Sequence, residues 1–148
     1  MKNTSANIIN GLFILLFTYT ALSKLFGYSR FRSVLSTAPL VRSYAVWIAA
    51  ILPVAELITA ALIFIPATAR KGMITGVSLL TVFTVYLVYM VLTDSNLPCS
   101  CGGVIPQLSW KQHIAFNIVF IATGLAGIYM QNNNEAGKIE EIHTPAGV

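Results

Sequence analysis

The two cysteines of the chain, Cys99 and Cys101, lie one residue apart within residues 97–103 (LPCSCGG). Two thiols at this spacing can form and break a bond between them without moving the rest of a fold. The ring closed by such a disulfide is small, and strain makes it easier to reduce than a structural bond. The pair therefore indicates thiol–disulfide chemistry.

The residues that follow the cysteines favour the reactive thiolate form. Ser109 is a suitable N-cap for a helix that begins near Trp110, and Lys111 and His113 fall in its first turn. A helix N-terminus and nearby cations both stabilise a thiolate. His113 is also a candidate proton acceptor beside the thiols, and the alternative is a histidine exposed among lipid headgroups.

Two other interpretations of the cysteines remain open. They can form a structural disulfide that only fastens their loop, or they can bind a metal. Cys99, Cys101 and His113 supply three ligands, whereas structural zinc sites use four, and His143 lies far away near the C-terminus. We therefore expect no metal site.

Glu56 is the second residue whose position indicates chemistry, because it lies in an apolar segment one turn after Pro53. A charge at that depth costs about 2.5–3.5 kcal/mol, so the carboxyl is expected to face other helices, protonated or paired. It is then a proton relay or part of a quinone pocket, or alternatively a neutral acid that only bonds neighbouring helices. The candidate partners are Lys24, Ser23, Tyr86 and Asn117.

The composition indicates that these residues belong to a membrane protein. Of the 148 residues, 56% are hydrophobic and 9% are charged, whereas a soluble domain carries about 25% charged residues. Four apolar segments have about the length that crosses a bilayer core. They are residues 8–26, 44–65, 73–92 and 114–130.

These segments are continuous apolar runs without alternation, so they predict helices and exclude a β-barrel. We predict an all-α membrane protein, a bundle of four transmembrane helices within one domain, residues 1–130. Residues 131–148 are polar and predict a disordered tail. Between the first two spans, Phe31, Val34 and Leu35 have the spacing of a short amphipathic helix on the membrane surface.

The orientation in the membrane follows from chemistry rather than from charge. The net charge is +4, and basic residues flank the spans on both sides, so the positive-inside rule does not decide. No basic stripe indicates nucleic acid. Disulfides persist outside the reducing cytosol, which favours cytoplasmic termini and a periplasmic cysteine loop in a bacterial inner membrane.

Several short motifs follow one another in a specific order between about residues 11 and 130. Together they resemble the MauE (methylamine utilisation) family within the wider DoxX-like group of four-helix membrane proteins. The cysteine loop departs from the Cys-x-Cys-Phe-Gly pattern common in that family, because Gly102 follows Cys101 directly. The matching motifs are residues 23–25 (SKL), 31–35 (FRSVL), 52–57 (LPVAEL), 99–103 (CSCGG), 109–110 (SW) and Asn117.

The resemblance implies a redox-associated membrane protein that helps disulfide-bearing exported proteins to mature, together with a thioredoxin-like partner. A more distant likeness to quinone-linked disulfide-forming membrane enzymes implies a quinone as electron acceptor. Those enzymes carry a second, shuttle pair of cysteines. This chain has two cysteines in all, so a partner must supply any shuttle pair.

The resulting hypothesis is a thiol–disulfide oxidoreductase of the membrane. Cys99 and Cys101 carry the redox step, and His113, Lys24 and Glu56 support it. The main alternative is a non-catalytic membrane subunit of a larger complex, in which the cysteines form a structural disulfide. A third interpretation is a small-molecule or ion carrier built around Glu56, which the few intramembrane polar residues disfavour.

Overall fold

The computed structural model describes residues 4–38, 40–93 and 110–143, and within these ranges the chain is helical apart from short connections. No strand occurs in the described ranges, so the all-α prediction is confirmed. The helices are α1 (Thr4–Phe26), α2 (Tyr28–Thr37), α3 (Ala45–Phe64), α4 (Ala69–Thr93) and α5 (Trp110–His143), with a 3₁₀ turn at Arg42–Tyr44 before α3.

Four of these helical segments are long and apolar enough to cross a membrane, as the sequence predicts. In lipid, a helix satisfies every backbone polar group within its own segment, so continuous apolar runs of this length become spans. The chain is therefore a multi-pass membrane protein whose immediate surroundings are the lipid bilayer. The four segments are Thr4–Phe26, Arg42–Phe64, Ala69–Thr93 and Lys111–Asn132.

The outer surface of the bundle is apolar, as a lipid environment requires. Leu15 and Val82 are each 70% exposed, and Trp47 is 69% exposed. An apolar surface of this extent is not found on soluble monomers. These side chains therefore face lipid.

The core lies where α1 packs against α3 and α5, and where α4 packs against α3 and α5. Phe13 is fully buried, and its ring contacts Phe17 at 6.1 Å and Phe120 at 5.7 Å between ring centres. Ile63 and Met73 join the same apolar cluster from α3 and α4. Aromatic and aliphatic packing thus contributes to holding the four spans together.

Two glycines one turn apart bring α4 close to its neighbours. A Cβ atom on Gly72 would lie 2.6 Å from the backbone nitrogen of Ile63 in α3. A Cβ atom on Gly76 would lie 2.8 Å from the ring of Phe17 in α1. Small residues are what allow membrane helices to approach this closely.

Replacing Gly72 by Ala is expected to destabilise the bundle, because the added methyl group meets backbone that cannot move aside. Such overpacking costs about 1–3 kcal/mol. The matched control is Gly11→Ala, since a Cβ atom there meets nothing within 4 Å. Unfolding in mixed micelles should show a lower midpoint for Gly72→Ala alone. Equal midpoints for the two variants would contradict the close contact.

Helix α2 confirms the predicted helix between the first two spans. The backbone continues almost without interruption from α1, since Gly27 donates to the carbonyl of Ser23 at 3.0 Å and Phe31 to that of Gly27 at 2.9 Å. Phe31 and Leu35 are buried against the first half of α3, in a cluster with Ala49. The predicted apolar face therefore packs on the protein.

Helix α5 is longer than the predicted span. It continues through residues 131–143, where the sequence analysis expects a disordered tail. The side chain of Gln131 donates to Asn10 Oδ1 in α1 at 3.2 Å, so the helix is held just beyond the apolar segment. Alanine, lysine and glutamate in residues 135–141 are good helix formers and let the helix continue.

Candidate functional site

Lys24 and Glu56 form an ion pair inside the bundle. Lys24 Nζ lies 2.7 Å from Glu56 Oε1 and 3.1 Å from Oε2. The two side chains are only 6% and 11% exposed. The structure therefore brings together two of the residues selected from the sequence, and each charge is partnered where lipid would make a lone charge costly.

The surroundings of Lys24 hold its ammonium group at the carboxylate. Lys24 lies in the last turn of α1, and its Nζ also donates to the carbonyl of Thr20 at 3.4 Å. The ring of Phe31 in α2 lies 5.9 Å from Nζ, within the range of a cation–π interaction. The break at Gly27 thus places α2 where it covers the cation.

On the α3 side, Pro53 lies one turn before Glu56 and is fully buried. Proline has no N–H, so the carbonyl of Ala49 lacks its usual partner one turn earlier in the helix. One backbone hydrogen bond of α3 is therefore missing in the turn before the Glu56 carboxylate.

A small cavity of about 50 Å³ adjoins the ion pair and lies between α1, α3, α4 and α5. We call it the ion-pair cavity. His113 also lines it, so the structure brings three of the five candidate residues to one place. Its polar lining is Thr20, Lys24, Glu56, His113 and Asn117, and its apolar lining is Leu16, Phe17, Leu52, Leu79, Leu80 and Phe83.

Asn117, one of the four candidate partners that the sequence offers for Glu56, lines the same cavity as that carboxyl group. Its side chain is 3% exposed, and its amide nitrogen has no hydrogen-bond partner among the described residues. His113 lies one turn earlier on α5, with its ring 5.8 Å from that of Phe83. The four-residue spacing of His113 and Asn117 predicts a shared face, but not that this face turns towards Lys24 and Glu56.

Cys99 and Cys101 lie outside the described residues, in the part of the chain between Thr93, where α4 ends, and Trp110, where α5 begins. The spans alternate in direction, so α1 also ends at that edge of the bundle, which we call the cysteine edge. Lys24 is two residues from the end of α1, and His113 is three residues from the start of α5. Lys24 and His113 thus line the ion-pair cavity from within about one turn of these two helix ends, whereas Phe83 lines it from a position ten residues before the end of α4 at Thr93.

The side chains of the site bear on whether it could hold a metal ion or a quinone. The described residues contain no group of three or more metal-binding side chains (His, Cys, Asp or Glu). The cavity is about one third of the roughly 150 Å³ that an apolar cavity offers to benzene. The space that the described residues leave beside the ion pair is therefore smaller than a cavity that encloses an apolar ring.

Fold and site together define a multi-pass, all-α membrane protein with a buried lysine–glutamate pair below one edge of its four-helix bundle. The family model of the methylamine utilisation protein MauE matches residues 2–130. The chain belongs to that family, and the resemblance drawn from its sequence motifs is confirmed. The comparisons with curated proteins and with solved structures found no match.

Proposed function

We propose that the protein is a membrane thiol–disulfide redox protein whose working groups are Cys99 and Cys101. It exchanges electrons with a thioredoxin-like or substrate protein outside the cytoplasm and so supports the maturation of exported proteins. One observation carries the proposal. The chain belongs to the MauE family, and its two cysteines stand one residue apart in the segment that joins α4 to α5.

The proposed reaction is an exchange between one disulfide and two thiols. A thiolate of the partner attacks one sulfur of the Cys99–Cys101 disulfide and forms a mixed disulfide, while the other sulfur leaves as a thiolate. A second thiolate of the partner then attacks the partner's sulfur in the mixed disulfide. This step forms a disulfide within the partner and releases Cys99 and Cys101 as a dithiol. Two electrons and two protons have passed from the partner to this chain, and the reverse sequence passes them back.

The other candidate residues are proposed to assist this exchange by accepting a proton and by positioning α1. His113 is the proposed proton acceptor, because it lies closest to the start of α5 among the polar residues of the cavity. Lys24 and Glu56 fix the last turn of α1 against α3 through their ion pair. A quinone that accepts electrons near Glu56 would need more space than the roughly 50 Å³ of the ion-pair cavity.

We propose an orientation with both termini in the cytoplasm and the cysteine edge on the periplasmic side of a bacterial inner membrane. Disulfides are stable outside the reducing cytosol, and this supports the proposal. The four spans return the chain to its starting side, so one orientation settles both termini.

Trapping of the partner tests the proposal. A Cys101→Ser variant has no internal disulfide, so its Cys99 thiolate forms the mixed disulfide by attacking a disulfide of the partner, the reverse of the step above, and no neighbouring thiol then resolves it. The expected result is a higher-mass species on non-reducing gels that reductant abolishes, and mass spectrometry of that species identifies the partner. Cys99→Ser reports which of the two sulfurs is attacked.

The matched control for this experiment is the double variant Cys99→Ser/Cys101→Ser, which should trap nothing. If both single variants also trap nothing, while each is present in the membrane at the wild-type level, the cysteines are not exchange partners. That outcome would favour the non-catalytic subunit with a structural disulfide.

A further inference from the structure

The amide nitrogen of Asn117 needs a hydrogen-bond partner beyond the described side chains. An unsatisfied buried polar group costs about 1–3 kcal/mol. Asn117 is 3% exposed, and its Nδ2 atom has no partner among the described residues. The residue lines the ion-pair cavity, so whatever occupies this cavity can accept a hydrogen bond from it.

The volume of the cavity indicates which molecules can occupy it. A water molecule needs about 10–15 Å³ of such space and two to four polar partners. The cavity of about 50 Å³ therefore has room for about three to five water molecules. An apolar ring occupies about three times this volume when it is enclosed.

The polar lining supplies the partners that such waters need. Asn117 has two N–H groups to donate. Glu56 takes two contacts from Lys24 and keeps further lone pairs on both carboxylate oxygens. The Thr20 hydroxyl donates to the carbonyl of Phe17 at 3.2 Å and remains able to accept. His113 completes the lining on the side towards the start of α5.

We propose that the ion-pair cavity binds a small cluster of water molecules, and that this cluster transfers protons between His113 and the Lys24–Glu56 pair. Each water accepts a proton from one neighbour and passes another to the next, so no net charge stays in the apolar layer. The use of this path in thiol chemistry rests on the proposed function, since in thiol–disulfide exchange each attacking thiol first loses a proton and each leaving thiolate regains one. The water site itself does not depend on the cysteines.

Radiolytic footprinting of the protein in lipid nanodiscs tests the water site. Hydroxyl radicals formed from bound water oxidise the side chains beside it, and mass spectrometry locates the oxidised residues. Phe17 lines the cavity, whereas Phe13 lies one turn earlier on the same helix, is fully buried and does not line it. Phe17 should be oxidised several-fold faster than Phe13.

The variant Asn117→Leu should remove most of this difference, because it deletes the donor and fills the space with apolar atoms. The double variant Cys99→Ser/Cys101→Ser should keep the wild-type pattern, and this separates failure of the water site from failure of the redox proposal. Equal protection of Phe17 and Phe13 in the wild-type protein would overturn the inference. Protection of Phe17 by an added lipid-soluble quinone would also overturn it, because the cavity would then admit an apolar ring.

The proton path is tested by the rate of disulfide exchange with the trapped partner. Asn117→Leu should lower this rate several-fold, and Asn117→Gln, which keeps an amide donor, should restore part of it. An unchanged rate in Asn117→Leu would contradict proton transfer through the cluster. The footprint of each variant shows whether its cavity is still hydrated.

Discussion

Replacing Glu56 by Leu is expected to cost the bundle about 3–5 kcal/mol of its free energy of unfolding, the typical effect of removing one partner of a buried ion pair. Lys24 is 5% exposed, and among the described residues it would keep only the longer contact of Nζ with the carbonyl of Thr20 at 3.4 Å. Reversible unfolding in mixed micelles, compared with the wild-type protein, measures this loss.

The matched control is the double variant Lys24→Met/Glu56→Leu. Replacing both partners of a buried pair by apolar residues of similar size is often neutral or stabilising by about 1–4 kcal/mol. The double variant should therefore recover most of the stability that Glu56→Leu loses. If the free energy of unfolding of the double variant falls by the sum of the losses in the two single variants, the two residues are not energetically coupled. The ion pair would then not contribute to stability.

The same variants separate a structural role of the pair from a chemical one. A double variant that folds but exchanges disulfides slowly would show that the pair takes part in the proposed reaction. Glu56→Gln should likewise impair exchange more than it impairs assembly, because the amide keeps the shape and loses the proton-accepting carboxylate. Equal loss of folded protein and of exchange would make Glu56 structural only.

The second large effect is expected in the redox state of the cysteines themselves. A disulfide between Cys99 and Cys101 closes a small strained ring, and strained disulfides are reduced more readily than structural ones. We therefore expect both the dithiol and the disulfide forms in growing cells, and a nearly complete shift to one form when reductant or oxidant is added. A structural disulfide would instead remain oxidised throughout.

Much of the fold is predictable because lipid leaves the chain few choices. Four continuous apolar runs of bilayer length must become helices, since no other backbone structure satisfies its polar groups there. The spacing of Phe31 and Leu35 likewise predicts α2, and both residues are buried in the structure. The extension of α5 to His143 was not predicted. The polar composition of residues 131–148 suggests disorder, whereas the helix propensity of several of these residues allows the helix to continue.

The Lys24–Glu56 pair is predictable for a similar reason, since a charge within a span needs a partner and few were within reach. The positions of His113 and Asn117 at the cavity are not, because they depend on how closely α5 packs. A Cβ atom on Gly124 would lie 2.5 Å from Val77 Cγ2 and 2.7 Å from Phe13 Cζ. This contact between distant parts of the chain determines which face of α5 meets α1. The local sequence of α5 does not predict such a contact.

The most direct test of the account is to measure the redox state of Cys99 and Cys101 by acid quenching of cells followed by alkylation with a maleimide that adds mass. The account predicts two forms, one with both cysteines modified and one with neither, and it predicts that their ratio responds to reductant and to loss of the trapped partner. A single form that nothing shifts would contradict it, and so would thiols that react only from the cytoplasmic side.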